Sequence, residues 1–206
     1  KLWANVRSQP SRTIMFLLKK LEVEYEYIHV DIPKDSRSAE YRKDVNPRDE
    51  VPVLEVDGEK LYQSDAILRY SLDKYDTNED LLPKSDAIVR AKTEAWFTVN
   101  NTVYRPAYIK AFIGIVLGPI LFGLPEPTEE EAKTLVEGVY VQLADFNGYL
   151  GDTKFLTGDK LSIVYVYIYN EMLTPILLLK IDTTPYHKLH IWREAIKKDS
   201  IVSKIG

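Results

Sequence analysis

Val51-Pro52 constrains this chain more than any other dipeptide in it. Proline has no backbone N–H to give to a sheet ladder, so Pro52 must head the apolar run Val53–Val56 rather than sit inside it. Asp57-Gly58 then reads as a tight turn and Glu59–Tyr62 as a second short strand, which makes a β-hairpin. Gln63-Ser64-Asp65 follows at once, with Ile67, Leu68, Ser71, Leu72 and Tyr75 beyond it at helical spacing. Ser64 is therefore expected to be a helix N-cap, with unpaired backbone N–H groups behind it. A hydroxyl and a positive helix end aimed at one point can receive a small carboxylate, and the same pattern also fits a plain hairpin and capped helix.

Upstream, Leu2–Asn5 reads as a first strand and Ser11–Leu21 as a helix with Ile14, Leu17, Leu18 and Leu21 on its buried stripe. The polar turn Arg7-Ser8-Gln9-Pro10-Ser11-Arg12 joins them, with proline close to the helix start. Tyr25–Asp31 alternates as a second strand, and 36–44 is a polar helix or irregular segment. His29 lies within that strand, where packing or exposure is expected of it.

Residues 76–85, DTNEDLLPKS, have no periodicity and contain Pro83, so they read as a linker. The expected organisation is a first domain over 1–76, a linker over 77–85 and a helical domain over 86–206. Asp86 to about Phe112 is a long helical pattern in which Pro106 should kink or break the helix. Thr128 and Glu131 form a capping box for the next helix, whose stripe is Leu135, Val139, Leu143, Phe146 and Leu150. Ile163–Leu173 is apolar nearly all round, as a buried helix is, with Pro175 disrupting it. A closing helix over 186–198 carries Leu189, Trp192 and Ile196 on one side. His187 and His190, three apart on that helix, lack further ligands in the sequence and are expected at the surface, so no metal site is indicated.

Composition narrows the function classes. The 206 residues are 45% hydrophobic, enough for one large or two small cores, and the net charge of −4 gives no bulk attraction to nucleic acid or anionic membrane. Lys1–Pro10 is too polar for a signal peptide, and the apolar stretch Ala111–Leu124 is short for a membrane span and interrupted by Gly114, Gly118 and Pro119. Cysteine is absent, which removes disulfides, zinc-thiolate sites and cysteine nucleophiles, so thiol chemistry would need a thiol brought by a substrate. A cytoplasmic location is the default expectation.

Asn46-Pro47, then Val51-Pro52, then Gln63-Ser64 resembles the N-terminal domain of glutathione transferases, and Ser8-Gln9-Pro10-Ser11-Arg12 resembles their theta class. The resemblance covers essentially the whole chain and is strongest at 8–12, 46–75 and 155–162. It implies a thioredoxin-like α/β domain followed by an all-α domain, the glutathione transferase fold. It also implies conjugation of the glutathione thiolate to a hydrophobic electrophile, with glutathione as co-substrate and a homodimer as the usual assembly. In this resemblance Ser8 hydrogen-bonds the reacting sulfur. Val51, before a cis Pro52, pairs with the tripeptide backbone, and Gln63 and Ser64 hold its γ-glutamyl group. Arg37 and Arg48 are candidates for the glycyl carboxylate. Tyr104, Arg105 and Tyr108, within VYRP and the residues after it, are candidates for the electrophile pocket, in a cleft at the domain boundary; a plain interhelical salt bridge is the equal alternative for Arg105.

The magnitudes are compatible with that chemistry. A free thiol titrates near about 8.5, and lowering it by roughly two units takes about 2.7 kcal/mol of preferential thiolate stabilisation. One hydroxyl donor to an anion contributes about 1.5–3 kcal/mol, and a helix N-terminus adds to it. Ser8 would thus be a donor to the sulfur and Ser11 the cap of the first helix, the plainer alternative being that both serines only cap it.

Two residues depart from the family pattern. Glu50 stands where a lysine or amide is frequent, so it must point away, be compensated by Arg48 and Arg37, or weaken glutathione binding. Tyr165 replaces the aspartate of the capping motif that opens the core helix, while Ser162 keeps the cap and Leu161 can staple against Val166; the lost reciprocal bond costs about 1 kcal/mol. Both departures feed an alternative, a catalytically silent subunit in a larger assembly, like the transferase-like domain of the elongation factor 1 gamma subunit. Peroxide reduction by glutathione would use the same site.

Overall fold

The structure is a computed structural model that describes residues 1–151 and 162–205. Phe155–Asp159 and Leu161, singled out above, lie outside the described residues. The chain divides into two compact units, one spanning Lys1–Leu82 together with the segment beginning at Ser200, the other Pro83–Asp199.

The first unit is built on a four-stranded sheet in the order β2-β1-β3-β4. β1 (Leu2–Ala4) and β2 (Tyr27–His29) are parallel, which requires a crossover, and α1 (Gln9–Lys20) supplies it. β2 is shorter than its alternation suggests because it is an edge strand and β1 offers only three partners, Leu2, Trp3 and Ala4. α2 (Ala39–Asp44) is capped by Ser38, whose hydroxyl accepts the Tyr41 N–H at 3.1 Å. β3 (Val53–Val56) and β4 (Glu59–Tyr62) form the hairpin, with Asp57 and Gly58 both at positive φ, 53° and 84°, as a type I′ turn needs. α3 (Ser64–Tyr75) follows and packs on α1. Leu2, Ala4, Ile14, Leu17, Leu18, Val53, Ile67, Leu68 and Leu72 make the core. Phe16 joins it, whereas Leu21 is the half-buried C-cap of α1.

The second unit begins with one helical run from Ala87 to Phe122, which extends past the expected end near Phe112 and is interrupted by a π-helical turn just ahead of Pro106, where a kink or break was expected. It is α4 (Ala87–Val99), a π-helical turn over Asn100–Tyr104, α5 (Arg105–Phe112), a second π-helical turn over Ile113–Leu117, and α6 (Gly118–Phe122). Pro106 and Pro119 each stand second in the α-helical segment after a π turn. The wider turn shifts the hydrogen-bond register ahead of each proline, with Arg105 N–H bonding Asn100 C=O and Gly118 N–H bonding Ile113 C=O. Gly118 is needed there, because a Cβ would lie 2.7 Å from the Ile113 carbonyl oxygen. The run stops at Gly123, left-handed at φ 62°, and the Leu124 N–H closes onto Gly118 C=O at 3.1 Å. By length and composition this run is apolar enough to cross a bilayer, unlike the shorter stretch read from the sequence. Phe97, Tyr104, Tyr108, Ala111 and Phe112 on it are buried, while Val103 and Ile120 are exposed.

α7 (Glu129–Tyr149) has both halves of its capping box. Val139, Leu143 and Phe146 are fully buried as the stripe requires. α8 (Ile163–Leu178) continues through Pro175. An interior proline costs about 3 kcal/mol, and burial of Leu173, Pro175 and Ile176 opposes that cost. Ser162 has the extended N-cap backbone but its hydroxyl makes no hydrogen bond among the described residues, so the cap expected of it is conformational only. α9 (His187–Lys197) buries Leu189, Trp192 and Ile196, and His187 and His190 are exposed. Phe146 and Trp192 meet edge to face at 5.0 Å between centroids. α10 (Val202–Ile205) packs against α1 in the first unit.

Candidate functional site

The strand registers decide which turns meet at one end of the sheet. β1 and β3 are antiparallel with Trp3 opposite Val53, so the next step sets Ala4 beside Pro52. β3 and β4 are antiparallel with Val53 opposite Tyr62, so the next step sets Pro52 beside Gln63. The turn leaving β1, the Val51-Pro52 bond entering β3 and the Gln63-Ser64 pair leaving β4 therefore share one edge. Val51, Pro52, Gln63 and Ser64 thus lie at the sheet end from which the turn carrying Ser8 departs.

Ser8, not Ser11, is the N-cap of α1. The Ser8 Oγ accepts the Ser11 N–H at 3.4 Å, while Ser11 is fully buried in the first turn with its Oγ accepting the Asn5 N–H at 3.5 Å. Ser8 is half-buried, and its cap bond uses an acceptor lone pair, which leaves the hydroxyl proton for another partner. The turn carrying it is tied down by Asn5 and Arg12. The Asn5 amide donates to Val30 C=O and accepts the Arg7 N–H, both at 2.8 Å, and Arg12 Nη1 donates to Val6 C=O at 3.0 Å.

Val51-Pro52 is cis, as expected, and so is Ile32-Pro33. The segment before it is anchored through the Glu50 carbonyl, which accepts the Tyr41 hydroxyl at 2.8 Å and the Asn46 side-chain amide at 3.0 Å. Burial, then the neighbouring Asp49 and Glu50 charges, push the Tyr41 hydroxyl well above its ordinary range, so it stays a donor. Sequence reasoning missed Asn5 and Tyr41. The signal for Asn5 was there, an Asn two residues before a turn N–H, the spacing of an Asx turn.

Gln63, not Ser64, is the N-cap residue of α3, and its side chain makes no cap bond. Ser64 is the first helical residue, half-buried. Gln63 holds φ 71°, a region that disfavours any residue but glycine and that concentrates at ligand-binding positions. Its side-chain amide donates instead to the Glu50 carboxylate at 2.8 Å, and Arg48 Nε lies 3.7 Å from the same carboxylate. Glu50 thus does not turn away. Arg42 grips Asp49 through two bonds, at 2.6 and 2.8 Å. That bond, with the charges of Arg42 and the nearby Arg37, holds the Asp49 carboxyl below the usual range. Arg37 itself is exposed.

The candidate pocket residues of the helical unit are placed differently. Tyr104 and Tyr108 are fully buried, with Tyr104 donating to Asp145 Oδ2 at 3.0 Å and packing edge to face on Phe146. Arg105 forms an ion pair with Glu171, itself only 1% exposed. Tyr104 and Tyr108 are core residues, because helical spacing puts them on the face that packs on α7 and α8, while Arg105 is a half-exposed interhelical partner. Among the described residues no cluster of three His, Asp or Glu could hold a metal ion.

Residues 1–73 match the family model "Glutathione S-transferase, N-terminal domain", and residues 104–197 match "Glutathione S-transferase, C-terminal domain". Glutathione S-transferase F10 of Arabidopsis thaliana is 32% identical over 165 residues, covering 79% of this chain and 74% of that protein. The chain belongs to the glutathione S-transferase family. Theta-class relatives are also similar to it. Human glutathione S-transferase theta-1 is 29% identical over 177 residues, covering 85% of this chain and 73% of its own. The human glutathione-S-transferase T1-1 apo structure matches with a TM-score of 0.89 at 25% identity, covering 99% of this chain and 84% of that one. The small mixed sheet with its helices, followed by an all-helical unit, is thus the glutathione S-transferase fold.

Proposed function

We propose that this protein is a glutathione transferase in which Ser8 donates a hydrogen bond to the glutathione sulfur and holds it as thiolate for attack on an electrophilic carbon. The observation that carries the reading is the Ser8 hydroxyl, half-buried at the N-terminus of the twelve-residue α1 with its acceptor side occupied by the Ser11 N–H. The remaining proton and the positive helix end both favour an anion there. Val51, next to the cis Pro52, offers main-chain N–H and C=O groups with no hydrogen bond among the described residues, suited to pairing with an extended peptide. Ser64 and the first N–H groups of α3 would take the γ-glutamyl carboxylate, with Gln63 beside them. Arg37 and Arg48 would serve the glycyl carboxylate. Glutathione is the co-substrate in this reading, the second substrate a small hydrophobic electrophile, the protein a cytoplasmic homodimer and its role detoxifying.

The Gln63–Glu50 bond favours a second reading, a catalytically silent member used as an assembly subunit, since it engages an amide meant for the tripeptide and puts a carboxylate in the same place. Calorimetric titration with glutathione and a conjugation assay with a reactive aryl halide separate the two. The enzyme reading predicts submillimolar to millimolar binding and turnover that falls by about tenfold or more in Ser8→Ala. No binding at several millimolar glutathione would establish the silent reading instead.

A further inference from the structure

One side chain at the root of the turn that carries Ser8 is almost wholly buried. Asn5 is 4% exposed at the end of β1 and uses its amide and its main chain on four different groups. Nδ2 donates to Val30 C=O at 2.8 Å, fastening the turn to the end of the neighbouring strand β2. Oδ1 accepts the Arg7 N–H at 2.8 Å, and the Asn5 carbonyl accepts the Ser8 N–H at 2.9 Å, so the two residues that lead into α1 are both held from one point. The Asn5 N–H reaches the Ser11 Oγ at 3.5 Å, inside the first turn of that helix.

We propose that Asn5 is a positioning residue, the group that fixes the Arg7-Ser8 backbone so that the Ser8 hydroxyl proton faces the thiol. This rests on the reading of Ser8 as donor to the glutathione sulfur. Only a side-chain amide meets both demands of the position. Aspartate keeps the acceptor for Arg7 but sets a carboxylate oxygen against the Val30 carbonyl, in a buried place. An aliphatic residue of the same size frees the Arg7 N–H and the Val30 C=O together. Arg12 Nη1 on Val6 C=O holds the turn from the helix side, so loss of Asn5 loosens the direction of Ser8 while the turn stays attached. A hydrogen bond to an anion weakens steeply as its angle and length drift, which makes the bound thiol the sensitive reporter.

The test is the pKa of the thiol in the full-length protein saturated with glutathione, read by thiolate ultraviolet absorbance against pH. Five proteins are compared: wild type, Asn5→Ala, Asn5→Asp, Ser8→Ala and Ser8→Ala/Asn5→Ala. Asn5→Ala should raise the bound-thiol pKa by about one unit, a roughly tenfold loss of thiolate below it. Its glutathione Kd should change by less than about threefold. Asn5→Asp, retaining the Arg7 contact, should give a smaller rise, and it carries the test under the same criteria should Asn5→Ala fail to fold. In the Ser8→Ala background Asn5→Ala should add nothing, since both act on one bond. An unchanged pKa in both Asn5 variants alongside a raised one in Ser8→Ala overturns this inference alone. So does an Asn5→Ala shift that persists in full without Ser8. An unchanged pKa in Ser8→Ala overturns the Ser8 reading and this inference together.

Discussion

The Gln63 side-chain amide donates to the Glu50 carboxylate at 2.8 Å, joining the residue before the cis Val51-Pro52 bond to the N-cap of α3. Both are exposed, and Arg48 contributes at 3.7 Å, so the contact is an adjustable one in high dielectric. Removing the negative charge weakens the hold on the Gln63 amide and ends repulsion of an incoming anion. Glu50→Gln should lower the Kd for glutathione by about two- to fivefold, and Glu50→Lys by more. Calorimetric titration at rising salt checks the cause, because the gain should shrink as the charges are screened.

Arg105 and Glu171 tie α5 to α8 with a carboxylate that is almost wholly buried. Arg105→Met removes one charged partner of that carboxylate and should cost about 1.5–3 kcal/mol of stability. Arg105→Met/Glu171→Leu should recover most of the loss, since an apolar pair has no charge to desolvate. Denaturant midpoints report both. Glutathione affinity should be unchanged in Arg105→Met under conditions where the protein stays folded, as this pair lies outside the unit that holds the candidate glutathione site.

Three buried tyrosines make stability pH-dependent at the alkaline end. Burial first, then the hydrogen bond to Asp145, raises the Tyr104 hydroxyl far above its ordinary value of 10.0. Burial and the Asp145 charge raise Tyr108, and burial with Asp49 and Glu50 raises Tyr41. Each is protonated in the fold at a pH where the unfolded chain has already ionised. The contribution is therefore complete below pH about 10 and is lost as pH rises toward the folded values. Thermal midpoints should fall above pH about 10, and Tyr104→Phe should flatten part of that fall.

The sheet half of the fold was legible because its signals are local. Val51-Pro52, Asp57-Gly58 and the polar turn at Ser8 each restrict the backbone through one or two residues. The caps slipped for the same reason, as local patterns do not say which of two nearby serines meets a given N–H. Ser8 took the cap assigned to Ser11, and Gln63 took the position assigned to Ser64. At Pro106, where a kink or break was expected, the chain accommodates the proline through a π turn that periodicity does not reveal. Tyr104, Arg105 and Tyr108 were rightly placed on one helical face, but a face does not announce whether it looks to solvent or to a neighbour. Asp145 and Phe146, far away in sequence, mark Tyr104 as core, and Glu171 takes Arg105 into an interhelical ion pair.

The account depends on Ser8 stabilising a thiolate that belongs to the ligand. The direct measurement is the pKa of glutathione bound to the wild type and to Ser8→Ala. In the wild type it should lie about two units below the ordinary thiol value near 8.5, and in Ser8→Ala it should climb back by at least about one unit. A wild-type complex titrating near about 8.5, or a Ser8→Ala complex titrating with the wild type, contradicts the account.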